Sequence, residues 1–279
     1  MAAAIRAEHP ATACGGLSAL DALARVAYLS PMMPRWLRIA HRGASGSAPE
    51  HTRPAFARAL DLGVDMIELD VQLTRDAELI VIHDLELDRT TDGHGAVREH
   101  TRAEIQALDA GRWFDAAFTG QSPLTLEEVL ALAGDRSALN IEIKAPAADW
   151  RTLSARLLPL LKGYDQLSRA IVSCFDVGAL AVLREQSPDL RLGLLWHQND
   201  FAEAWRVAGE LVLTSFHPHW MLVSAELVEE AHRRGLSLLT WTVNDVATMS
   251  ELLQHGVDGI ISDFPERFDA LVVPQRLPA

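Results

Sequence analysis

Cysteine, positive charge and long apolar runs are what this chain of 279 residues has least of. Its two cysteines, Cys14 and Cys174, lie far apart and match neither a disulfide framework nor a zinc-ligand spacing, which fits a reducing, cytoplasmic setting. Lys and Arg number 25 against 38 Asp and Glu, giving a formal charge of -13 and a pI near 5.2. That balance excludes nucleic acid and an anionic membrane surface as partners, because both need clustered Lys and Arg; local positive charge inside a cleft stays open. No run of about 18 apolar residues occurs, so no membrane span is expected. A signal peptide is not evident either, since Glu8, His9, Pro10 and Asp21 interrupt any early apolar core. Residues 1–34 read as a poorly fixed leader with a short helix from about Ser18 to Leu29, and Met32 or Met33 as an alternative start.

What is present is a hydrophobic content of 49%, enough at this length for one large α/β domain over residues 35–279. From Trp36 onward strand-like and helix-like segments alternate, the pattern of a parallel sheet with crossover helices, and no internal repeat is visible. Strand candidates fall at 37–41, 65–71, 78–84, 138–144, 170–175, 190–196, 211–216, 236–243 and 258–263. That is one more than an eight-stranded barrel takes.

The surplus resolves in "IELDVQLTRDAELIVIHD". The turn TRDAE is far shorter than the dozen or so residues a parallel crossover requires, so the second and third candidates form an antiparallel hairpin. A turn centred near Asp76 and Ala77 puts Asp70 opposite or nearly opposite His83. Eight parallel strands remain, the count of a TIM barrel. Helices between strands carry their own boundaries: PEHTRPAFARALDLG stops at Gly63, while SAELVEEAHRRG and NDVATMSELLQHG begin at Ser or Asn caps and end at Gly. The interval 85–137 is too long for a loop and holds two capping-box signals, Thr101 with Glu104 and Thr125 with Glu128; it reads as a helical insertion beside the barrel mouth. Trp113, Phe114 and Phe118 within it either cover part of the mouth or pack the insertion onto the barrel.

Barrel chemistry is assembled at the C-terminal ends of the strands. His41 and Arg42 end the first strand, Glu68 and Asp70 lie late in the second, and Glu142 and Lys144 end NIEIK. Residues two apart on a strand share a face, so three carboxylates converge on one rim. Their repulsion makes that arrangement costly unless a cation sits among them, and an all-oxygen ligand set favours a hard ion, Mg²⁺ or Ca²⁺. Around it stand His41, Arg42, His83 and Lys144. Two histidines divide acid and base work near neutral pH, and Arg and Lys beside a divalent ion suit a phosphate. The combination points to metal-assisted cleavage of a phosphate ester, mono or di. Taken singly, each charged group has a structural reading as barrel closure, ion pair or solvated strand end. Convergence at one rim is what favours chemistry. Of the other histidines, His94, His100, His232 and His255 read as loop or helix-surface residues, and His51, His217 and His219 as structural residues of the rim.

The ordered motifs HRGASGSAPEHT, DMIELDVQLTRDAELIVIHD, LDRTTDGHGAV, LDAGRWF, PLTLEEVL, NIEIK, TWTVND and GVDGIISDFP resemble the glycerophosphodiester phosphodiesterases over about Ile39 to Pro265. The resemblance implies a TIM barrel with a helical insertion, one divalent cation on Glu68, Asp70 and Glu142, catalytic His41 and His83, and Arg42 with Lys144 on the phosphate. It implies hydrolysis of glycerophosphodiesters to sn-glycerol 3-phosphate and an alcohol, within lipid and glycerol metabolism. Glu50 matches a glutamate near the family's site and is expected to orient Arg42 or a ligand. Phe175 and Trp241, at strand ends, are expected to face the site and touch the glycerol or the leaving alcohol, with packing the competing role. One departure is His51, which stands where the family usually has Asn.

Other function classes have discriminating features. A barrel phospholipase acting on lysophospholipids or other intact lipids needs an apolar membrane-facing rim, and no such stripe is evident. A silent barrel used for binding is expected to have lost a ligand or a histidine, and this chain has lost none. A phosphomonoesterase is separated by comparing mono- and diester substrates.

Overall fold

A computed structural model describes residues 36–271, so the leader read over residues 1–34, with its short helix, lies outside the described residues. The strands are β1 (Leu37–His41), β2 (Met66–Leu73), β3 (Leu79–Val81), β4 (Ala138–Ile143), β5 (Ile171–Cys174), β6 (Arg191–Trp196), β7 (Ser215–Pro218), β8 (Ser237–Thr240) and β9 (Gly259–Ser262). All but β3 run parallel in the order β1-β9-β8-β7-β6-β5-β4-β2, and a β1–β2 pairing closes the ring. The chain therefore forms an eight-stranded TIM barrel with β3 added antiparallel on β2.

The crossover helices are α1 (Arg53–Asp61), α3 (Leu126–Ala133), α4 (Trp150–Gly163), α5 (Val177–Gln186), α6 (Ala202–Glu210), α7 (Ala225–Arg233) and α8 (Val246–His255); a short α2 (Arg102–Gln106) lies within the insertion. Both expected capping boxes form. Thr101 accepts from the Glu104 N–H and Thr125 from the Glu128 N–H, with each glutamate returning to the cap residue. The α3 residues Leu126, Val129, Leu130 and Ala133 join the main core between sheet and helices, so this part of the 85–137 segment serves as the crossover into β4. No helix among the described residues is long and apolar enough to cross a membrane.

Two smaller apolar clusters position the site. Ile39, Met66, Ile171, Leu239 and Ile261 pack together on five barrel strands and separate the bottom of the barrel from its polar rim. A second cluster lies outside the barrel, where Ile80 and Ile82 meet Leu87, Val97 and Ile105 of the insertion. Leu79 and Val81 belong instead to the main core. The hairpin return is apolar at every position because its alternate residues face two different cores.

One sequence expectation is narrowed and two need correction. The hairpin pairs Val71 with Val81, Gln72 with Ile80 and Leu73 with Leu79, and the Ile82 N–H donates to Asp70 O at 3.1 Å. The turn is thus centred on Asp76 alone, and Asp70 lies opposite Ile82, one residue short of His83. The strand expected at 211–216 begins only at Ser215: Leu211 and Leu213 donate back to the end of α6, and Val212 turns through a positive φ of 49°. The apolar run there closes a helix before it enters the sheet. The α8 cap is Asp245, which accepts from the Thr248 N–H, and Asn244 is released for another task.

The barrel wall formed by β5–β7 is polar inside. Ser215 and His217 are fully buried, with Ser215 Oγ 2.8 Å from His217 Nε2. A Cβ on Gly193 would stand 2.6 Å from that nitrogen, so only glycine leaves room for the pair. Burial pushes the His217 imidazole down to about 3. Its folded pKa lies below its unfolded value, so the folded chain resists taking up the proton and stability is lost as pH falls from about 6.5 toward 3.

Two stability predictions follow from this packing. Relative to His217→Gln, the wild type should lose about 2–4 kcal/mol of unfolding free energy between pH 7 and pH 4, measured in urea; parallel pH profiles for the two proteins would refute the assignment. Ile80→Ala, which hollows the cluster joining β3 to the insertion, should cost about 2–4 kcal/mol by urea unfolding, and a loss under 0.5 kcal/mol would show that the cluster carries little stability.

Candidate active site

The site is built on one edge of β2. That edge pairs with β1 through Met66, Ile67 and Glu68, and with β3 through Val71, Gln72 and Leu73. Between the two partners lies Asp70, where β1 ends in His41-Arg42 and the hairpin return continues into Ile82-His83. Arg42 turns away from the sheet at φ 56° and donates its N–H to Glu68 O at 2.9 Å; Gly43 follows at φ 82°, where a Cβ would press to 2.7 Å on the Ala55 backbone. The peptide N–H of Asp70 donates to His51 Nε2 at 3.2 Å. His51 is buried at φ 60°, a left-handed conformation in which Asn and His are both enriched. This explains how a His occupies the usual Asn position: the backbone tolerates either, and the ring is long enough to reach β2. The rim reading of His51 sharpens accordingly into direct contact with a candidate ligand.

Along β2 the side chains of Glu68, Asp70 and Gln72 share a face. Glu68, Asp70 and Glu142 each offer an oxygen within 4.8 Å of the others, and all three residues are buried. Two cations oppose them. Lys144 pairs closely with Glu142 and stands 3.4 Å from Asp70 Oδ1, and Arg42 Nε stands 3.4 Å from Asp70 Oδ2. Neither Asp70 oxygen completes a hydrogen bond. Burial, then the charges of Asp70 and Glu142, drives Glu68 well above the usual carboxylate range. Burial and Asp70 likewise push Glu142 up to about 8 despite Lys144. Burial would raise Asp70 too, but the Lys144 and Arg42 charges beside it hold it below the ordinary range. One ionised carboxylate and two strained ones at bonding reach of a common point fit a hard divalent cation.

The two histidines are held alike, one by a residue far along the chain and one by its own neighbour. His41 Nδ1 lies 2.6 Å from Asp263 Oδ1, and His83 Nδ1 lies 2.6 Å from Asp84 Oδ1. Each carboxylate only accepts, so each Nδ1 carries the proton and each Nε2 is left for the site. For His41 that nitrogen stands 3.8 Å from Glu68 Oε2. Ser45 Oγ and Asn244 Nδ2 donate to Asp263 at 3.0 and 2.7 Å, which gives Asn244 its task. Burial, followed by the Arg42 and Lys144 charges, sets the His83 imidazole below its ordinary value against the pull of Asp70 and Asp84. Gln72 Nε2 fixes the chain beyond β3 by reaching the carbonyls of Ile82, His83 and Asp84 at 3.1, 3.2 and 2.6 Å.

These side chains open onto a cavity of about 250 Å³. His41, Arg42, Glu68, His83, Glu142 and Lys144 line one side; Phe175 and Trp241 face them from the ends of β5 and β8, edge to face at 5.5 Å, with Asn140 and Ser173 deeper. Glu50 lies beside the site and accepts from Arg42 Nη1 at 2.9 Å. Trp113, Phe114 and Phe118 do not line the cavity; they pack on one another edge to face within the insertion. Five residues that hold the site received no role in it from the sequence: Asp84, Asp263, Gln72, Asn244, which was read as a helix cap, and Arg89, which donates to Asp84 and Glu50. The available signal was polarity at the end of an apolar strand, present in VIHD and IISD.

The sequence profile described as "Glycerophosphoryl diester phosphodiesterase family" matches residues 41–267. A glycerophosphodiester phosphodiesterase of Caldanaerobacter subterraneus subsp. tengcongensis is 43% identical over 85% of this chain and 97% of its own. Among solved structures, a phosphodiesterase of Oleispira antarctica in complex with the product sn-glycerol-3-phosphate aligns at TM-score 0.79 with 28% identity, covering 85% of this chain and 96% of that one. A glycerophosphodiester phosphodiesterase of Agrobacterium tumefaciens aligns at TM-score 0.74 with 30% identity, covering 84% and 98%. With the barrel, the rim and these similarities in agreement, the chain belongs to the glycerophosphodiester phosphodiesterase family, whose members are phosphoric diester hydrolases.

Proposed function

We propose that this barrel hydrolyses glycerophosphodiesters to sn-glycerol 3-phosphate and an alcohol with a divalent cation on Glu68, Asp70 and Glu142 and with His41 and His83 as the acid–base pair. The observation that carries this reading is the meeting of three buried carboxylates, two cations and two carboxylate-tethered imidazoles around one cavity. Bound there, Mg²⁺ or Ca²⁺ would supply positive charge to the phosphate oxygens.

The chain's own residues account for the rest. Arg42 and Lys144 bind the phosphodiester and balance its charge. One neutral imidazole takes the proton of the glycerol hydroxyl next to the phosphate as that oxygen attacks phosphorus, and the bond from phosphorus to the departing alcohol breaks. The second imidazole, protonated, gives its proton to the departing oxygen. A cyclic glycerol phosphate results, and water opens it with the two histidines exchanging roles. Asp84 and Asp263 keep each ring in the tautomer that turns Nε2 to the substrate. Phe175 and Trp241 supply the apolar side of the cavity, against which the glycerol carbons or the leaving alcohol pack. A cytoplasmic setting is part of this reading and rests on the cysteine pattern of the sequence, which matches no disulfide framework.

The assay is release of sn-glycerol 3-phosphate from glycerophosphocholine in Mg²⁺ or Ca²⁺, with a phosphomonoester as comparison. Chelation should abolish turnover, and the cation should restore it while raising the thermal midpoint. Turnover untouched by chelation would remove the metal from the scheme. His41→Ala and His83→Ala should each lower kcat by about 10²–10⁴; a kcat within twofold of the wild type in either variant would exclude that histidine from proton transfer.

A further inference from the structure

The insertion places one arginine between the two halves of the site. Arg89 follows Leu87, which is fully buried in the outer apolar cluster, and precedes the buried Thr90 and Thr91. Thr91 closes the turn by donating its N–H and its hydroxyl to Leu87 O at 3.1 and 2.7 Å. From this fixed turn the guanidinium takes hold of two carboxylates at once. Nε and Nη2 donate to Asp84 Oδ2 and Oδ1 at 2.6 and 3.0 Å, and Nη1 and Nη2 donate to Glu50 Oε2 and Oε1 at 2.9 and 2.8 Å.

The atoms involved form an unbroken chain. His83 Nδ1 meets Asp84 Oδ1, that oxygen meets Arg89 Nη2, the same nitrogen meets Glu50 Oε1, and that oxygen meets Arg42 Nη1, at 2.6, 3.0, 2.8 and 2.9 Å. The shared oxygens are the ones that orient His83 and Arg42. Four of the five guanidinium N–H groups are engaged, and Arg89 does not line the cavity, so it is not placed to bind substrate. A lysine cannot replace it: an ammonium lacks the planar fork that grips two carboxylates in parallel.

We propose that Arg89 is a positioning residue that fixes the His83 imidazole relative to the Arg42 guanidinium, and with it the proton-transfer group relative to the phosphate. The inference rests on the phosphodiesterase reading above, in which His83 and Arg42 act on one substrate. Loss of the clasp frees Asp84 and Glu50 to turn outward, and an error near 1 Å in such a geometry costs about 10²-fold in rate.

The test uses the full-length protein with its cation and glycerophosphocholine. Arg89→Ala should lower kcat about 10²-fold with KM changed less than about threefold, and methylguanidinium added to the assay should recover at least a tenth of the lost rate, because the site of Arg89 is open to solvent. Urea at equal concentration should not. Arg89→Lys, which keeps charge and bulk, should stay as slow as Arg89→Ala without a fall in thermal midpoint; it carries the test if the alanine variant does not fold. Independently of turnover, the hydrogen-bonded Nδ1 proton of His83, assigned by its loss in His83→Ala, should be sharp in the NMR spectrum of the wild type and broadened or lost in both Arg89 variants. A kcat within twofold of the wild type for Arg89→Lys, or an unchanged Nδ1 signal, overturns the proposal. A wild type without diesterase activity would instead overturn the parent reading, and the proton signal would still report on the clasp.

Discussion

The structure depends on how the hydrogen bonds along one edge of β2 are shared. A barrel strand normally keeps one partner on each side, but here β1 releases β2 after Glu68 and β3 takes it up at Val71. The interval is short enough that the groups ending both partners, His41-Arg42 and Ile82-His83, are brought end to end. A gap in a ladder leaves peptide groups to satisfy. Here the Arg42 and Ile82 N–H groups bond to the carbonyls of Glu68 and Asp70, and His51 takes the Asp70 N–H. Backbone pairing and the geometry of the rim are therefore one problem with one solution.

That arrangement is held against a substantial electrostatic cost. Three carboxylates in a buried space cannot all be ionised at ordinary cost, and the opposed shifts of Asp70 and Glu142 show how the fold resolves the conflict. Asp70, between Arg42 and Lys144, keeps its charge. Glu68 and Glu142 hold protons more tightly than free carboxylates do. The apolar floor of Ile39, Met66, Ile171, Leu239 and Ile261 confines this polarity to the rim end of the strands. A cavity polar throughout would weaken the field of every charge in it, and the floor prevents that.

The sequence made legible the features that are local or periodic. Strand alternation, the two capping boxes and the five-residue turn all express short-range chemistry, and the turn alone identified β3 as a hairpin return. The convergence of Glu68, Asp70, Glu142 and Lys144 was legible because residues two apart share a strand face. Parity was not: a turn centred on one residue or on two differs by a single position, and this decided whether Ile82 or His83 stands opposite Asp70. The strand start at Ser215 was hidden because Leu211–Leu213 is as apolar as a strand while it caps a helix. Asp263 could not be assigned to His41 from spacing, since 222 residues separate them and only closure of β1 on β9 makes them neighbours.

The two histidines are supported differently, and the difference lies in the insertion. His41 is held by Asp263, whose partners Ser45 and Asn244 are neutral donors from the barrel's own loops. His83 stands on the hairpin return, outside the ring, where among the described residues no barrel loop donates to Asp84. Its carboxylate is restrained by Arg89, on a turn anchored through Leu87 to Ile80 and Ile82. The outer apolar cluster thus carries the hairpin and the arginine turn as one unit. Adding a strand to the edge of β2 created the position for a second imidazole. It also created an edge element that the main core packs on one face only, through Leu79 and Val81, and the insertion braces the other face with its own small core.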